Sequence, residues 1–237
     1  LFDPIANKII DYCDGLLDLQ NKIIRTIGDP FERFSEDYLR ILRAIRFSNQ
    51  LNFEIEKKTS IAMDELSHKV VNISIERVRD EISKILLSLS PAKGIRLLDK
   101  YHILNTFIPE ILEMKNIQQP PDFHPEGDVF VHTCLVLDKL SESTSENSIE
   151  VVYGVLFHDI GKPDTYDKTD RIRFNRHEYV GANKAEKICK RLKFSNKQTE
   201  LIVSLVKEHM KFGNIKNMKK STFKKFVSME NFNDHLK

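Results

Sequence analysis

Apolar residues recur at helical spacing along most of the chain. In one stretch the positions i, i+3, i+4 and i+7 are Ile82, Ile85, Leu86 and Leu89. This spacing puts apolar side chains on one face of a helix, and such faces pack against each other. The pattern predicts helices near residues 16–25, 35–49, 54–66, 74–89, 91–100, 103–114, 129–140, 149–159, 177–192, 197–210 and 221–228. Short extended pieces are expected at the start of the chain and at 171–174.

Turn and capping residues indicate where several of these helices begin or end. The segment 28–30 (GDP) should break the first helix, because glycine and proline interrupt helical hydrogen bonding. Ser35 is a favourable N-cap with two acidic residues in the turn after it. The pair 90–91 (Ser-Pro) combines a cap with proline at the first helical position. Asn175 is the expected cap of the helix that follows it.

The clearest boundary in the chain is the segment 116–128 (NIQQPPDFHPEGD). It holds three prolines and one glycine, and its apolar residues show no periodicity. Elsewhere turn residues are scarce, since glycine and proline number only eight each in 237 residues, which favours helices over strands. We therefore predict an all-α protein with two helical parts, residues 1–117 and residues 118–237.

The net charge is only +2, but the basic residues are unevenly distributed. Between residues 184 and 225 there are thirteen Lys and Arg residues and three Glu residues. Such a stretch could contact phosphate groups, although lysines are equally common on solvated helix faces. Three cysteines without paired spacing fit a reducing cytosol. Since no apolar run approaches ~20 residues and no signal peptide is visible, we expect a cytoplasmic protein without membrane contact.

A histidine and an aspartate close the apolar stretch 151–157 (VVYGVLF). An ionisable pair such as His158-Asp159 needs a partner at the end of a buried helix, and a divalent metal satisfies imidazole and carboxylate together. Further histidines at ends of predicted helices are His132, His177 and His209. Four helices would each bring a ligand to one site, as in metal-binding bundles. This donor set suits Mn, Fe, Mg, Zn or Ni.

The chemistry that such a site indicates is hydrolysis of a phosphate ester. A bound metal could lower the pKa of a water and make hydroxide available for the attack. Lys162, just beyond the pair, is the candidate catalytic residue that would neutralise developing phosphate charge. The alternative is that each histidine is an ordinary core or surface residue, which is the commoner case for one histidine. The recurrence of histidine at four helix ends makes the two explanations about equally well supported.

A second candidate site lies on the predicted helix 35–49. Helical spacing places on one face Glu36, Arg40, Arg43 and Phe47. Asp37 also reaches Arg40 at i+3. An arginine held by a carboxylate presents a fixed planar fork that can pair with the edge of a base. The ordinary explanation is helix stabilisation, because a Glu–Arg pair at i, i+4 contributes ~0.2–0.5 kcal/mol on any helix.

The order of His132, His158-Asp159, His177 and His209 resembles the signature of the HD superfamily of metal-dependent phosphohydrolases. The resemblance implies that these five residues hold a divalent metal, such as Mg, Mn, Ni or Fe. The superfamily usually adds a final aspartate on a later helix. Asp234 is the nominal candidate for it. We expect the matching position beyond Lys237, so that the HD part is truncated at its C-terminal end.

Most of the chain resembles the bacterial tRNA nucleotidyltransferase and poly(A) polymerase family, class II, the CCA-adding type. The matching segments are Asp3-Pro4, 10–12 (IDY), 18–30 (DLQNKIIRTIGDP), 33–37 (RFSED), and 124–128 (HPEGD) with the helices after it. In that family a Glu-Asp-x-x-Arg motif selects the incoming CTP or ATP through Watson–Crick-like hydrogen bonds. The resemblance implies this role for Asp37 and Arg40, with Glu36 as support. Arg43 and Arg46 resemble the next motif, which braces the nucleotide-binding helix.

The same resemblance assigns residues 1–117 to a neck and body that select nucleotides and bind tRNA or other RNA, and residues 118–237 to an HD domain. The family's catalytic head has a Gly-Ser loop and an Asp-x-Asp pair, and the 237 residues contain neither pattern. Asp14-Gly15 stands where a Gly-Gly pair is usual. We therefore expect that this chain alone does not add CTP or ATP to tRNA.

Two other functions are consistent with the same residues. The first is that of a metal-dependent phosphohydrolase acting on phosphomonoesters, 2′,3′-cyclic phosphates or nucleotides. The second is that of a non-catalytic RNA-binding module, in which the HD half keeps its helical shape without chemistry. The sequence is compatible with a parent enzyme that adds CCA, CC, A or a poly(A) tail.

Overall fold

The structure is a computed structural model that describes residues 2–121, 125–143 and 147–237. Its regular structure is almost wholly helical. The helices of the first half are α1 (Gly15–Asn21), α2 (Pro30–Glu36), α3 (Leu39–Leu51), α4 (Lys57–Leu66), α5 (Ile75–Leu86), α6 (Pro91–Lys100), α7 (Ile103–Phe107) and α8 (Glu110–Glu113). Those of the second half are α9 (Val129–Ser141), α10 (Ile149–Phe157), α11 (His177–Arg191), α12 (Asn196–Glu208), α13 (Lys220–Val227) and α14 (Phe232–His235). Short 3₁₀ helices lie at Ser67–Asn72, Pro163–Thr165 and His209–Asn217.

Within these described ranges, β-structure is limited to pairs of two-residue strands. β1 (Phe2–Asp3) pairs antiparallel with β2 (Lys8–Ile9), β3 (Ile23–Ile24) parallel with β4 (Glu54–Ile55), and β5 (Tyr166–Asp167) antiparallel with β6 (Arg173–Phe174). The predicted all-α class is confirmed. The helices that the structure describes are all too short or too polar to cross a membrane.

A continuous cluster of buried apolar residues extends through both halves of the chain. Helix α6 lies in its middle, because it contacts α3 and α5 on one side and α9 on the other. The contact is close at Gly94, where a Cβ atom would lie 2.2 Å from Ile85 Cγ2 and 2.9 Å from Asn49 Nδ2. A residue without a side chain is therefore needed where α6 crosses α5 and α3.

The start of α6 is capped by another helix. Pro91 occupies the first helical position, as predicted, but the Ser90 side chain does not cap the helix in the described structure. Instead, the Ala92 N–H donates to Asp138 Oδ1 at 3.0 Å. Because Asp138 lies on α9, this hydrogen bond connects the second half of the chain to the first.

The predicted helix 35–49 is in fact two helices. Asp37 separates α2 from α3 and is extended, with φ −155° and ψ 105°. Its carboxylate accepts the backbone N–H of Leu39 at 3.0 Å, and this local bond competes with continuation of the helix. The prediction that Ser35 caps the helix is wrong, because Ser35 lies inside α2 and the N-cap is Asp29.

Two further helices are shorter than predicted. The helix expected over 16–25 ends at Asn21, because Lys22 adopts the left-handed conformation with φ 56°. The helix expected over 54–66 begins only at Lys57. The two residues before its cap form β4, which pairs with β3. The same strand pair shortens both helices, because β3 directly follows Lys22 and pairs with β4.

Two more predicted details are wrong for local reasons. The helix expected over 103–114 is divided into α7 and α8 around Pro109, which has no N–H to donate to the preceding turn. Asn175 does not cap α11. The residue before α11 is Arg176, which takes the left-handed conformation with φ 64°. The extended piece expected at 171–174 is confirmed in part, as β6.

Candidate metal centre and nucleotide-side cleft

Four helix ends converge on the pair His158-Asp159. The pair directly follows α10. His132 lies in the first turn of α9, His177 is the first residue of α11, and His209 follows α12. The structure therefore brings together all five side chains that the sequence predicted as metal ligands.

The turn after α10 touches the backbone of α11 at Gly161. A Cβ atom there would lie 2.2 Å from the carbonyl oxygen of His177 and 2.5 Å from the backbone nitrogen of Gly181. Neither atom can rotate away as a side chain could. The missing side chain of Gly161 therefore allows the first turn of α11 to approach the turn that carries Asp159.

The carboxylate of Asp159 is the centre of the cluster. Its Oδ2 atom lies 3.0 Å from His158 Nε2 and 3.8 Å from His132 Nε2. Its Oδ1 atom lies 3.3 Å from His177 Nε2 and 3.8 Å from His209 Nε2. Two groups of three ligand atoms, both containing Asp159, lie within 4.8 Å of one another. Four imidazoles thus surround one buried carboxylate.

The second ring nitrogen of each histidine contacts an oxygen acceptor. His132 Nδ1 lies 2.6 Å from Glu126 Oε1. The other three Nδ1 atoms lie near backbone carbonyls, His158 near Val155 at 2.7 Å, His177 near Phe174 at 2.8 Å and His209 near Val206 at 2.7 Å. Because Nδ1 carries the proton that these acceptors need, Nε2 keeps its lone pair in the neutral ring. In the neutral form of each ring, this lone pair faces Asp159.

Burial and charge act in opposite directions on the cluster. Burial is the largest influence on Asp159 and raises its pKa, but His158 and Lys162 together hold that pKa well below its usual range. Burial lowers the pKa of His158, yet the Asp159 charge leaves it raised. For His209, burial dominates and lowers the pKa to about 4. Asp159 is therefore ionised and His209 neutral near pH 7, as metal ligands must be.

These five residues fit a divalent cation. Ligand atoms bound at ~2.1 Å to one metal are roughly 3.0–3.4 Å apart. The two Nε2 atoms of His177 and His209 are 3.2 Å apart, and His177 Nε2 is 3.3 Å from Asp159. Two lone pairs at this distance repel each other unless a proton or a metal ion lies between them. Imidazole and carboxylate donors without thiolate suit Mn, Fe, Ni, Zn or Mg.

Lys162 is buried beside the central carboxylate. Its Nζ atom donates to Asp159 Oδ2 at 2.7 Å and to Gln119 Oε1 at 2.6 Å. The ammonium group also lies 5.2 Å from the centre of the Phe174 ring. Only 8% of the side chain is exposed. Lys162 therefore fixes the orientation of Asp159 and contributes a positive charge to the cluster.

A pocket of about 350 Å³ opens on the cluster. Besides the cluster itself, it is lined by Pro120, Ile172, Arg173, Phe174 and Met210. Arg173 adds a second positive charge at its side and pairs with Asp170 at 2.5 Å. The pocket therefore combines a candidate metal site with the two cationic side chains that a phosphate group would meet.

Two further residues belong to the sequence resemblances, one in the segment 124–128 and the other as the nominal final aspartate. His124 lies outside the described residues. Asp234 lines a different cleft, of about 210 Å³, together with His158 and His209. Among the described residues, Asp234 is not part of either group of converging ligand atoms.

On the nucleotide side, Arg40 is held by Glu36, as the spacing predicted. Arg40 Nη1 contacts Glu36 Oε2 at 2.5 Å and the carbonyl oxygen of Arg33 at 2.6 Å. Arg33 Nη1 contacts the same carboxylate at 2.8 Å. The hydrogen bond from Arg40 is the main reason that the pKa of Glu36 is lowered. The guanidinium group of Arg40 thus has a defined orientation.

Asp37 pairs with Arg77 of α5 rather than with Arg40. Its Oδ2 accepts from Arg77 Nη2 at 3.0 Å, while Oδ1 accepts from the Leu39 N–H. The predicted i+3 contact with Arg40 is wrong, because the chain is extended at Asp37. Burial raises the pKa of Asp37, but the hydrogen bonds from Leu39 and Arg77 outweigh it and lower the pKa.

Arg43 and Arg46 both lie against the ring of Phe47, with guanidinium carbons 5.9 Å and 4.2 Å from its centre. Arg46 Nε also donates to Glu81 Oε2 at 2.7 Å and so connects α3 to α5. Arg43 and Arg40 line a cleft of about 270 Å³. Arg25, Thr26 and Thr59 also line it. The structure thus brings Arg40 and Arg43 into one cleft and leaves Asp37 on the α5 side.

Sequence reasoning missed the residues that orient these groups. Gln119 is 43 positions away from Lys162, and Arg77 is 40 positions away from Asp37. Local spacing carries no signal for such contacts. Glu126 could have been noticed, because it belongs to the segment 124–128 that the resemblance includes.

Two family models match the chain. A model described as a probable RNA and SrmB-binding site of polymerase A matches residues 52–115. A model of the HD domain matches residues 129–231. The five residues of the metal cluster all lie within the second match.

Known relatives of the chain are CCA proteins. The multifunctional CCA protein of Pasteurella multocida (strain Pm70) is 32% identical over 201 residues, which are 81% of this chain and 47% of that protein. The multifunctional CCA protein of Acinetobacter baumannii (strain SDF) is 33% identical over 220 residues, 91% of this chain and 52% of that protein. The CCA-adding enzyme of Ligilactobacillus salivarius (strain UCC118) is 44% identical over 119 residues, 49% of this chain and 30% of that enzyme. The chain spans about half the length of the first two relatives.

Solved structures share the fold. A tRNA-processing enzyme in an apo form matches 97% of this chain and 62% of its own chain, with a TM-score of 0.58 and 18% identity. A CCA-adding enzyme in complex with CTP matches 96% of this chain and 48% of its own, with a TM-score of 0.57 and 18% identity. These structures show the fold alone. The two family models and the sequence relatives show that the chain belongs to the CCA-adding, tRNA nucleotidyltransferase family and contains an HD domain.

Proposed function

We propose that residues 1–117 are the neck and body of a CCA-adding type of tRNA nucleotidyltransferase, and that residues 118–237 are an HD domain that hydrolyses phosphate esters. The convergence of four histidine Nε2 atoms on the buried Asp159 carboxylate carries the second part of the proposal. The match of residues 52–115 to an RNA-binding family model supports tRNA or another RNA as the partner. A cytosolic location is part of the proposal, and the three free cysteines support it.

In the proposed nucleotide site, Arg40 reads the base. Glu36 holds its guanidinium group, which leaves further N–H groups free to donate to the edge of CTP or ATP. Asp37 supplies the acceptor for the base when it releases Arg77. Arg43 lines the same cleft and contributes positive charge for the phosphates. These nucleotides are the proposed substrates of the whole enzyme.

In the proposed hydrolytic site, a divalent metal is held by His132, His158, Asp159, His177 and His209. When bound, the metal supplies Lewis acidity and lowers the pKa of a water. The Nδ1 hydrogen bonds fix the orientation of each ring, so that Nε2 would be available to hold the metal. The cation of Lys162, 2.7 Å from Asp159, adds to the influence of His158 and His177 that keeps the carboxylate ionised, and it places positive charge beside developing phosphate charge. Phosphomonoesters and 2′,3′-cyclic phosphates are the proposed substrate classes.

Phosphatase assays on the purified chain test the hydrolytic proposal. With Mn²⁺, Ni²⁺ or Mg²⁺ we expect hydrolysis of p-nitrophenyl phosphate or of a 2′,3′-cyclic nucleotide. Loss of a ligand in His158→Ala or Asp159→Asn should reduce this activity roughly 100-fold or more, whereas the exposed control His68→Ala should not change it. Activity that both ligand variants retain would exclude this site. Stoichiometric RNA binding by a metal-free chain would instead favour a non-catalytic RNA-binding module.

Incorporation assays test the nucleotidyltransferase proposal. Because neither a Gly-Ser loop nor an Asp-x-Asp pair occurs in the chain, we expect no addition of labelled CTP or ATP to tRNA. We do expect CTP or ATP to bind, and Arg40→Ala to weaken binding more than Lys93→Ala does. Addition of nucleotide by the purified chain would contradict the claim that a head domain is required.

A further inference from the structure

The last part of the chain carries a basic surface that neither proposed site uses. Residues 209–229 contain six lysines and no acidic residue. Lys211 pairs with Glu208. The other five are exposed and form no ion pair with any carboxylate that the structure describes. They are Lys216, Lys219, Lys220, Lys224 and Lys225.

Helix α13 separates these charges from its apolar residues. Phe226 is 2% exposed and packs its ring 5.0 Å from Phe212 and 5.4 Å from Phe232. At helical spacing, the positions turned away from Phe226 are Lys220, Ser221, Lys224 and Lys225. We call Lys220, Lys224 and Lys225 the lysine face of α13. One side of the helix anchors it to the protein, and the other presents three cations to the exterior.

The charges at the start of α13 do not stabilise the helix, although Lys224 and Lys225 lie in its last turn, where the dipole favours cations. Lys219 is the N-cap and Lys220 the first helical residue, where the helix dipole favours negative charge. The Lys219 side chain provides no capping hydrogen bond. Lys220 and Lys224 are four positions apart, a spacing at which like charges repel. Helix stability therefore does not explain Lys219 and Lys220, whereas a negatively charged partner explains the exposed lysines at both ends.

Helix α13 lies beside the HD cluster. Its anchor Phe226 packs on Phe212, which is three residues beyond His209. Phe212 in turn lines the cleft of about 210 Å³ that His158 and His209 share. A partner bound to the lysine face would therefore lie next to the helix ends that carry the proposed metal ligands.

We propose that the lysine face of α13 binds the phosphate backbone of RNA, as a contact surface separate from residues 52–115. The inference rests on the proposed RNA partner. Contacts to phosphate are independent of sequence and weaken with salt. Phe223 is 41% exposed on the same helix and offers a ring on which a base can stack.

The structure favours RNA over a lipid surface as the polyanion. A helix that lies on a membrane buries a wide apolar face among the lipids. On α13 the buried Phe226 is already used for packing against Phe212 and Phe232. The part left for a partner is mainly cationic, which matches the phosphates of a nucleic acid.

RNA binding at several salt concentrations tests the inference. A fluorescent tRNA transcript is titrated with the full chain and with the triple variant Lys220→Gln/Lys224→Gln/Lys225→Gln. The control variant Lys8→Gln/Lys139→Gln/Lys168→Gln removes the same charge from other exposed positions, which pair with no carboxylate among the described residues. If all three lysines contact phosphates, the slope of log K against log salt should decrease by about 2 and affinity at 0.1 M salt by roughly 100-fold. The control variant should retain most of the salt slope and most of the affinity.

Each outcome separates the inference from the proposal on which it rests. If the unmodified chain binds no RNA, the proposed RNA partner fails together with the inference. If it binds RNA and the two triple variants have equal slopes, only the lysine face is wrong. Binding to anionic vesicles but not to tRNA, lost in the α13 variant, would show a lipid surface and overturn the inference. A thermal melt should show the α13 variant folded, because it keeps the buried Phe226 that anchors the helix.

Discussion

Replacement of Gly161 by alanine should disturb both the stability of the fold and the proposed metal centre. The new Cβ atom would lie 2.2 Å from the His177 carbonyl oxygen and 2.5 Å from the Gly181 nitrogen. Ordinary contact between such atoms begins near ~3.3 Å, so the overlap is about 1 Å. Since both neighbours are backbone atoms of α11, the overlap can be relieved only if α11 moves away from the turn.

The size of the effect depends on which atoms can move to relieve the overlap. Overpacking typically costs ~1–3 kcal/mol, and we expect Gly161→Ala to lie at or above the upper end, about 3 kcal/mol. With a urea m-value of roughly 3 kcal/mol/M, the unfolding midpoint should fall by about 1 M. Displacement of α11 also carries His177 away from Asp159. Because metal ligation tolerates only about 0.2 Å, Mn²⁺ affinity should fall as well.

Two other glycines are matched controls for this substitution. A Cβ atom at Gly154 would lie closest to Leu205, 2.8 Å from Cδ1 and 2.9 Å from Cβ, which is a smaller overlap than at Gly161, and one at Gly213 would meet nothing within 4 Å. Urea unfolding followed by circular dichroism, with calorimetric Mn²⁺ titration, should rank the cost as Gly161→Ala above Gly154→Ala above Gly213→Ala. Equal stability of the first two variants, with unchanged Mn²⁺ binding, would refute the reasoning.

Three further predictions concern single side chains. Burial raises the pKa of Cys134 to about 11 and that of Cys189 to about 12, so at pH 8 a thiol reagent should modify only the exposed Cys13 until the chain unfolds. Because these two thiols ionise less readily in the folded chain, the free energy of unfolding should also decrease above about pH 9. Reaction of all three thiols in the native state would contradict the burial. Asp138→Ala removes the cap of α6 and should cost about 1 kcal/mol, or a few degrees in Tm, and an unchanged Tm would show that this bond does not contribute. Glu126→Gln should weaken Mn²⁺ binding roughly 10-fold in calorimetry without unfolding the chain, and equal affinity would exclude Glu126 as an orienting residue.

The helices were predictable because burial imposes a period on the sequence. Ile82 and Ile85 of the predicted repeat are both 0% exposed, whereas Leu89 is 86% exposed because α5 ends at Leu86. The ends of helices were less predictable, since they depend on bonds outside that period. The break at Asp37 follows from one hydrogen bond to Leu39, and the cap of α6 comes from Asp138, 46 positions away.

The proposed metal ligands were found from the sequence because each lies at the end of a helix with a clear apolar pattern. The orienting contacts could not be found in this way. Asp37 pairs with Arg77 only because α5 packs against α3, and Lys162 reaches Gln119 only because the segment before α9 folds back. Such pairs are determined by packing between helices and not by spacing along one of them.

The most direct test of the metal centre is X-ray absorption by the chain loaded with Ni²⁺. A centre built from His132, His158, Asp159, His177 and His209 predicts a nitrogen and oxygen shell near ~2.1 Å with scattering from three or four imidazole rings. His158→Ala should lose one imidazole contribution, whereas His68→Ala should leave the spectrum unchanged. A shell of oxygen ligands without imidazole scattering, identical in the unmodified chain and in His158→Ala, would contradict the account.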